Sequence, residues 1–310
     1  MKSLVTGVTG FVGSYLAEAL DGEIHGLKRW RSSTEHIKHL PNLILHDCDI
    51  TDLSAVISVL RAVQPDRIYH LAAQSFVPFS YSNPRLTLET NIIGTSNILE
   101  GVRLLGQNPF IHICSSSEVY GQPLYTPIDE KHPLNPISPY GVSKLAEDRL
   151  GYAYFRAYGM KIVITRMFTH TGPRQHDVFF CSNFARQIAA IEKGSEPLVR
   201  VGNLDSIRTV CDVRDTVKGY LLLSETMAGQ VFNIGGTMTR RVGDILSMLI
   251  SLSKRKDEIQ IETDEDRLRP ADVTLQIPDT GLFSNLTGWV PHIPLMETLE
   301  LLLDYWRVRV

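Results

Sequence analysis

Short apolar segments alternate with longer amphipathic segments over the first 170 or so residues of the chain. Six of the apolar segments have the length and composition of buried strands: KSLVTGV, EIHGLKR, LILHDCD, RIYHLAA, FIHICSS and KIVITRM. Between them, segments such as FVGSYLAEAL and LSAVISVLRAV repeat apolar residues at helical spacing. This alternation predicts an α/β fold with a Rossmann-like, doubly wound parallel sheet.

The pattern changes after about residue 170, where loops rich in glycine, proline and charge separate shorter helices such as VGDILSMLISLSK. We therefore predict two units. Residues 1–170 form the Rossmann domain, and residues 171–310 form a smaller α/β lobe that binds substrate and is partly interleaved with the first unit.

Composition narrows the class of protein. The net charge of −3 gives no basic excess for nucleic acid or a membrane surface, and no apolar run reaches the roughly 20 residues of a membrane span. The four scattered cysteines form no C-x-x-C pair, and no secretory signal is visible. We expect a cytoplasmic protein with reduced thiols, without a metal site and without nucleic-acid or membrane partners.

A glycine-rich turn follows the first predicted strand and opens a helix. In VTGVTGFVG the glycines are Gly7, Gly10 and Gly13, with Phe11 and Val12 between the last two. Glycine permits a tight turn and a close approach of backbone amides to a pyrophosphate, next to the positive end of the helix dipole. The turn predicts a dinucleotide site, although a glycine triplet also occurs in turns that bind nothing.

The end of the second strand indicates which dinucleotide. NAD-binding proteins usually place Asp or Glu there, whereas this chain has Lys28, Arg29, Arg31 and Ser32. These cations and this hydroxyl match a 2′-phosphate, so NADP is favoured over NAD. The alternative is a solvated basic turn.

The third and fourth strands supply further candidates for the cofactor site. Asp49 follows the third strand and could accept from the adenine amino group while Ile50 packs on the ring. Asp49 could equally cap the next helix. Small residues after the fourth strand, Ala72 and Ala73 beside Leu71, would let a ribose approach the backbone.

The fifth strand ends in hydroxyls and one acid, in SSSEVYG, and the segment SPYGVSK places Tyr140 one helical turn before Lys144. A nearby ammonium and a bound nicotinamide cation both favour the tyrosine phenolate, and Ser116 offers a third contact to a reacting oxygen. This set predicts proton transfer coupled to hydride transfer.

Several blocks in order, among them VTGVTGFVGSYL, SSSEVYG, SPYGVSK, GNLDSIR and LRPAD, resemble the extended short-chain dehydrogenase/reductases that act on nucleotide sugars. Similarity is greatest to GDP-mannose 4,6-dehydratases and GDP-4-keto-6-deoxy-mannose reductases. The resemblance implies a redox triad of Ser116, Tyr140 and Lys144. It also implies a nucleotide-diphospho-sugar, GDP-linked, between the two lobes. Its candidate contacts are Ser75, Ser117, Asn203, Arg208 and Arg269.

The acid at Glu118 helps to distinguish among the reactions that such a site could catalyse. Strand alternation would point Glu118 and Ser116 toward the same face. A 4,6-dehydratase needs a base for the C5 proton and an acid for the departing C6 hydroxyl, and one carboxylate can serve both in turn. We therefore favour a dehydratase. An NADPH-dependent 4-keto reductase is the alternative, followed by a C4 epimerase. A non-enzymatic NADP-binding protein is disfavoured, because both Tyr140 and Lys144 are present.

The predicted helix that carries Tyr140 also has a surplus of aromatic residues, including Tyr152, Phe155 and Tyr158. One face of this helix must cover the sheet. The remaining apolar surface, like the family resemblance, indicates a homodimer or homotetramer built on a helical interface. The alternative is packing within a single large core.

Overall fold

The structure is a computed structural model that describes residues 1–310. Its strands are β1 (Lys2–Thr6), β2 (Glu23–Lys28), β3 (Leu43–Asp47), β4 (Arg67–His70), β5 (Phe110–Ser116), β6 (Ile162–Met167), β7 (His170–Thr171), β8 (Leu198–Val201), β9 (Ile207–Asp212), β10 (Val231–Ile234), β11 (Met238–Arg241), β12 (Gln260–Thr263) and β13 (Leu275–Gln276).

The α-helices are α1 (Phe11–Ala19), α2 (Leu53–Val63), α3 (Val77–Ser82), α4 (Pro84–Leu88), α5 (Gly94–Leu104), α6 (Pro139–Tyr158), α7 (Phe180–Glu192), α8 (Val213–Leu221), α9 (Val242–Ser251), α10 (Gly281–Thr287) and α11 (Leu295–Arg307). None of them combines the length and the apolar character needed to cross a membrane.

Seven parallel strands form the central sheet, in the order β10-β6-β5-β4-β1-β2-β3. The predicted doubly wound sheet is confirmed, and all six predicted strands belong to it. β5 is buried along almost its whole length, as expected for a strand covered by helices on both faces. The chain runs outward from β1 to β3 and then returns to β4. A crevice therefore opens at the carboxyl ends of β1 and β4, which is where such sheets bind ligands.

The second half of the chain builds smaller sheets around β9, which pairs with β7, β11 and β13, while β8 pairs with β12. Helices α7, α9 and α11 enclose a hydrophobic cluster that includes Ile188, Leu246 and Leu299. One strand of this half, β10, instead joins the central sheet beside β6. The two halves of the sequence thus share a sheet.

Helix α6 is fixed to the central sheet by a buried ion pair. Asp148 on α6 accepts from Nε of Arg166 on β6 at 2.8 Å, and both side chains are at most 2% exposed. Nη1 of Arg166 also donates to the Tyr120 hydroxyl at 3.0 Å and to the Glu130 carbonyl at 3.1 Å. The pair joins α6 to β6, and the other two bonds tie β6 to the segment that precedes α6, so together they help to fix the helix against the sheet.

Asp148→Ala should lower the free energy of unfolding by about 3–5 kcal/mol, because it leaves the buried Arg166 charge without its partner. Urea denaturation monitored by circular dichroism measures the loss. Arg149 pairs with the same carboxylate but is half exposed, so Arg149→Ala should cost less than about 1 kcal/mol. Equal losses in the two variants would contradict this assignment.

Candidate active site

The glycine turn after β1 leaves room for backbone only. Gly7 has a φ of 70°, in the left-handed region, and a Cβ built on it would lie 2.9 Å from the Ala72 backbone. A Cβ on Gly13 would lie 2.2 Å from the Gly7 carbonyl oxygen. No side chain fits at either position without displacing this backbone. The turn therefore presses the start of α1 against the segment that follows β4.

A buried hydroxyl holds these two segments together. Thr6 Oγ1 accepts from the amides of Leu71 and Ala72 at 3.1 and 3.0 Å. The first-turn amides of α1, from Phe11 onward, have no partner within the helix. The structure thus brings the predicted turn residues together with Leu71, Ala72 and Ala73 at the crevice. A cradle of free amides at a helix N-terminus fits a pyrophosphate.

A cavity of about 700 Å³ lies beyond the ends of β2 and β3, and Arg29, Arg31, Ser32 and Asp49 are among its lining residues. Neither arginine forms an ion pair, and the Arg31 guanidinium lies 4.9 Å from the centre of the Trp30 ring. The other acids of the cavity already have partners. Asp47 pairs with Lys28, and Asp52 caps α2 by accepting from the amides of Ser54 and Ala55.

Two predicted cofactor contacts, Lys28 and Ile50, have little accessible surface in the protein alone, and their roles stay predictions. Lys28 is not among the residues that line the cavity, and its ammonium is paired with Asp47 across the β2–β3 register. Ile50 has little exposed surface. It is 6% exposed and belongs to the hydrophobic core, with its side chain against Gly94 of α5. Asp49 does not cap α2. Its Oδ1 accepts from the amide and hydroxyl of Thr51 at 2.9 and 2.8 Å.

Ser116, Tyr140 and Lys144 meet where β5 ends beside the start of α6. Ser138 caps α6 by accepting from the Gly141 amide at 2.9 Å, which places Tyr140 in the first turn. Lys144 Nζ donates to the Cys114 carbonyl on β5 at 2.9 Å. Ser116 lies near the Tyr140 phenol, and its hydroxyl lowers the pKa of that phenol. The structure therefore brings the three predicted catalytic side chains together.

Burial and charge act in opposite directions on the Tyr140 phenol. Burial raises the pKa of Tyr140 to about 12, although the Lys144 ammonium and the Ser116 hydroxyl both lower it. The protein's own residues therefore leave the phenol protonated at neutral pH. Lys144 alone does not bring the Tyr140 pKa toward neutrality, because desolvation of the phenolate outweighs the attraction of the ammonium.

The orientation of Glu118 does not come from strand alternation, although the sequence analysis predicted that it would. β5 ends at Ser116, and residues Ser117–Val119 form a 3₁₀ turn, so strand alternation does not orient Glu118. Instead, Ser116 Oγ accepts from the Glu118 amide at 3.2 Å and caps the turn. The Glu118 backbone lies against α6, since a Cβ on Gly141 would be 2.9 Å from its carbonyl oxygen.

The Glu118 carboxylate lies in a polar cleft and is 12% exposed. Its Oε1 accepts from Gln276 Nε2 at 3.2 Å and lies 3.9 Å from Arg269 Nη1. Burial raises the pKa of Glu118, and Asp272 adds to this, while Arg269 and Arg208 lower it. A carboxyl with a raised pKa accepts a proton more readily when ionised, and it can return that proton in a later step.

The cleft continues into a cluster centred on Asp272, which the sequence analysis did not name. Its carboxylate accepts from Asn203 Nδ2 at 3.0 Å and from Ser206 Oγ at 3.1 Å. It lies 3.3 Å from Arg269 and 3.8 Å from Arg208. The cluster brings together three predicted substrate contacts. Two other predicted contacts are placed separately: Ser117 is buried in the 3₁₀ turn, and Ser75 is exposed on the segment after β4.

A family profile described as GDP-mannose 4,6 dehydratase matches residues 4–302. The chain belongs to this family. It is 32% identical to a GDP-mannose 4,6-dehydratase of Yersinia enterocolitica, over 96% of this chain and 91% of that protein. It is also 32% identical to a GDP-6-deoxy-D-mannose reductase of Pseudomonas aeruginosa, over 100% and 98% of the two chains. The protein is therefore an enzyme of the dehydratase and reductase type.

Solved structures of this broader class share the fold. RMD from Pseudomonas aeruginosa, complexed with NADPH, superposes with a TM-score of 0.84 at 29% identity and covers 100% of this chain and 99% of its own. A UDP-glucuronic acid 4-epimerase from Bacillus cereus, in complex with UDP-glucuronic acid and NAD, gives 0.90 at 26% identity with full coverage of both chains.

Three residues of the site were missed by sequence reasoning. Asp272 and Gln276 lie in or just after the LRPAD block, and only the fold brings them to Asn203 and Glu118. Glu147 lies one turn after Lys144 on α6 and contacts its ammonium at 3.0 Å. For Glu147 the sequence did carry a signal, because acids and bases three residues apart on a helix are neighbours.

Proposed function

We propose that this member of the family acts as a GDP-mannose 4,6-dehydratase. The observation that carries the proposal is Glu118, a largely buried carboxyl with a raised pKa, whose backbone amide donates to Ser116 near Tyr140. Ketone reduction and C4 epimerisation need only the tyrosine, serine and lysine. Loss of water across C5 and C6 needs a further acid and base at this position.

In the first step, Tyr140 takes the proton from the sugar O4 hydroxyl. Ser116 hydrogen-bonds to the same oxygen, and the Lys144 ammonium stabilises the phenolate. A nicotinamide cofactor, when bound, supplies a positive charge near the phenol, accepts the C4 hydride and later returns it to C6. The amides of the glycine turn and the segment Leu71–Ala73 would hold that cofactor.

In the second step, Glu118 takes the C5 proton, and its carboxyl then donates that proton to the departing C6 hydroxyl, so that water leaves. Gln276 and Arg269 orient the carboxylate. As hydride adds to C6, the proton that Tyr140 took from O4 returns to C5. Tyr140 and Glu118 are then in their starting states, and the cycle consumes no reductant.

The substrate contacts follow from charge. Arg208 and Arg269 flank Asp272, and two guanidinium groups can hold a diphosphate through charge-assisted hydrogen bonds. We infer that Asn203 lies at the nucleotide side of this cluster, and that Ser117 and Ser75 lie toward the sugar. The relatives named above support GDP as the nucleotide.

The second candidate is a GDP-4-keto-6-deoxy-mannose reductase, and chain length favours it. The alignment with the Yersinia dehydratase extends over 338 positions, more than the 310 residues of this chain, whereas the alignment with the Pseudomonas reductase extends over 317. The dehydratase therefore contains segments that this chain lacks. In a reductase, Tyr140 would donate a proton to the C4 ketone, and Glu118 would take no part.

Incubation of the purified protein with GDP-mannose and catalytic NADP⁺, without a reductant, distinguishes the two. The proposal predicts formation of the 4-keto-6-deoxy product. Mass spectrometry detects this product by its loss of one water relative to GDP-mannose. Glu118→Gln, which keeps the size but removes the charge, should reduce this rate by at least about 100-fold.

The matched measurement is NADPH oxidation with the 4-keto-6-deoxy sugar. This reduction should be little changed in Glu118→Gln, because it uses only the other three side chains. Absence of product from GDP-mannose, together with rapid NADPH oxidation by the unmodified protein, would establish the reductase instead.

We further propose that the cofactor is NADP. The arginines and Ser32 that line the cavity support this, because Arg29 and Arg31 have no carboxylate partner and are free to bind a 2′-phosphate. The acids that line the same cavity already have partners: Asp47 pairs with Lys28, Asp49 accepts from Thr51, and Asp52 caps α2. NADPH is also the cofactor bound to RMD.

Replacing both arginines, Arg29→Ala with Arg31→Ala, should weaken NADP⁺ binding by about 10–100-fold while NAD⁺ binding changes little. Isothermal titration calorimetry measures both affinities. Lys38→Ala is the control, since Lys38 is exposed in the same connection but does not line the cavity. An equal loss for NAD⁺ and NADP⁺ would contradict a 2′-phosphate site.

We infer a homodimer, with a homotetramer as the alternative, from apolar side chains left on the surface by α5 and α6. Leu104 and Tyr158 are each more than half exposed, and Tyr152 is 39% exposed. α5 and α6 pack against each other, so their outer faces form a continuous surface. Burying such a surface against a second copy would remove it from water.

We retain the two-lobe division near residue 170 and a cytoplasmic location as proposals. The separate hydrophobic cluster around α7, α9 and α11 supports a second lobe, which is interleaved through β10. The four cysteines are all unpaired, which is typical of a reducing compartment.

A further inference from the structure

A second carboxylate, absent from the mechanism above, is buried behind the catalytic lysine. Glu147 Oε2 lies 3.0 Å from Lys144 Nζ, and the two side chains are 1% and 5% exposed. The other oxygen of the carboxylate, Oε1, is buried without any hydrogen-bond partner. A buried carboxylate that leaves one oxygen unsatisfied is costly. Its position beside Lys144 therefore calls for a role.

Glu147 helps to fix where the ammonium points. Lys144 has three N–H donors, of which one goes to the Cys114 carbonyl at 2.9 Å and one to Glu147. These two acceptors lie on different elements, β5 and α6. Together they hold Nζ between the strand and the helix and leave one N–H for the active site.

Most other titratable groups around the lysine are neutral. Burial lowers the pKa of both His70 and His112 to about 3, and it raises the pKa of the Cys114 thiol and of Tyr220. Asp148, next to Glu147 on α6, is paired with Arg166, and its charge raises the pKa of Glu147. Apart from Tyr140 itself, Glu147 is therefore the group whose charge can balance that of Lys144.

We propose that Glu147 is a positioning residue for the proposed reaction: it holds the Lys144 ammonium in place and, when ionised, offsets part of the positive charge that this ammonium exerts on the Tyr140 phenol. The inference rests on the proposed roles of Tyr140 and Lys144. It adds that the strength of the tyrosine base depends on a third, buried group.

The direction of the effect follows from the charges. Ionised Glu147 raises the pKa of Tyr140, whereas Lys144 lowers it. Burial raises the pKa of Glu147, against the opposing attraction of Lys144. When Glu147 is protonated, the whole ammonium charge acts on the phenol. When Glu147 is ionised, the Lys144–Glu147 pair is nearly neutral, and the phenolate is less favoured.

The first test measures the ionisation of the Glu147 carboxyl directly and does not require catalysis. In protein labelled with ¹³C at the glutamate side-chain carboxyl, we expect one NMR signal that titrates above the range of an exposed glutamate and is missing from Glu147→Gln. In Lys144→Met the same signal should titrate at higher pH, because the attraction of the ammonium is lost. A Glu147 signal that titrates like an exposed glutamate, or that Lys144→Met leaves unchanged, would overturn the pairing.

The second test is the pH profile of kcat for GDP-mannose. Glu147→Gln keeps an oxygen that accepts from Lys144 but removes the charge, so the acid limb should move to lower pH and the plateau should fall less than about tenfold. A residue that serves only as packing would leave this limb in place. A limb that stays or moves to higher pH would contradict the charge effect.

Glu147→Leu provides the comparison for the holding role. It has similar volume but no acceptor, so Lys144 loses one of its two contacts and the plateau kcat should fall further than in Glu147→Gln. Equal plateaus in the two variants would contradict that role, with thermal unfolding used to confirm that both are folded. If the unmodified protein fails to convert GDP-mannose, the proposed function is wrong. The NMR titration would still show whether Glu147 is paired with Lys144.

Discussion

The site depends on a competition between desolvation and charge at one phenol. Tyr140 is buried where β5 ends, and burial alone favours its protonated form. Lys144 and Ser116 act in the opposite direction but do not prevail in the protein by itself. In the proposed reaction, the phenol would become a base when the positive charge of an oxidised cofactor lies near it. Such an arrangement would tie proton transfer to the presence of that cofactor and would limit unproductive proton loss from the substrate.

The rest of the fold serves to keep that phenol in place. The Ser138 cap starts α6 at the edge of the sheet, and the Asp148–Arg166 pair fixes the same helix two turns further along. The glycine turn opposite can approach only because no side chain stands at Gly7 or Gly13. The second half of the chain contributes Asp272 and its arginines, so the sugar would be held between a rigid sheet edge and a separate polar cluster.

Local patterns in the sequence were sufficient for the central sheet, the glycine turn and the tyrosine–lysine spacing, because each depends on neighbours within one element. Contacts between residues far apart in the sequence could not be predicted from those local patterns. Lys28 faces Asp47 only through the pairing of β2 with β3, and Gln276 meets Glu118 across 158 residues. Strand alternation failed for Glu118, because the hydroxyl of Ser116 turns the backbone into a 3₁₀ turn. The packing of Ile50 in the hydrophobic core against Gly94 of α5 likewise depends on a contact between distant elements.

The pKa of Tyr140, measured with and without an oxidised cofactor, tests this account most directly. Protein labelled with ¹³C at the tyrosine ζ carbon gives a signal for each phenol, and Tyr140→Phe identifies the one that matters. The account predicts that Tyr140 remains protonated well above neutral pH in the protein alone, and that its pKa falls when NADP⁺ binds. A phenol that ionises near neutral pH without cofactor, or whose pKa is unchanged by NADP⁺, would contradict it.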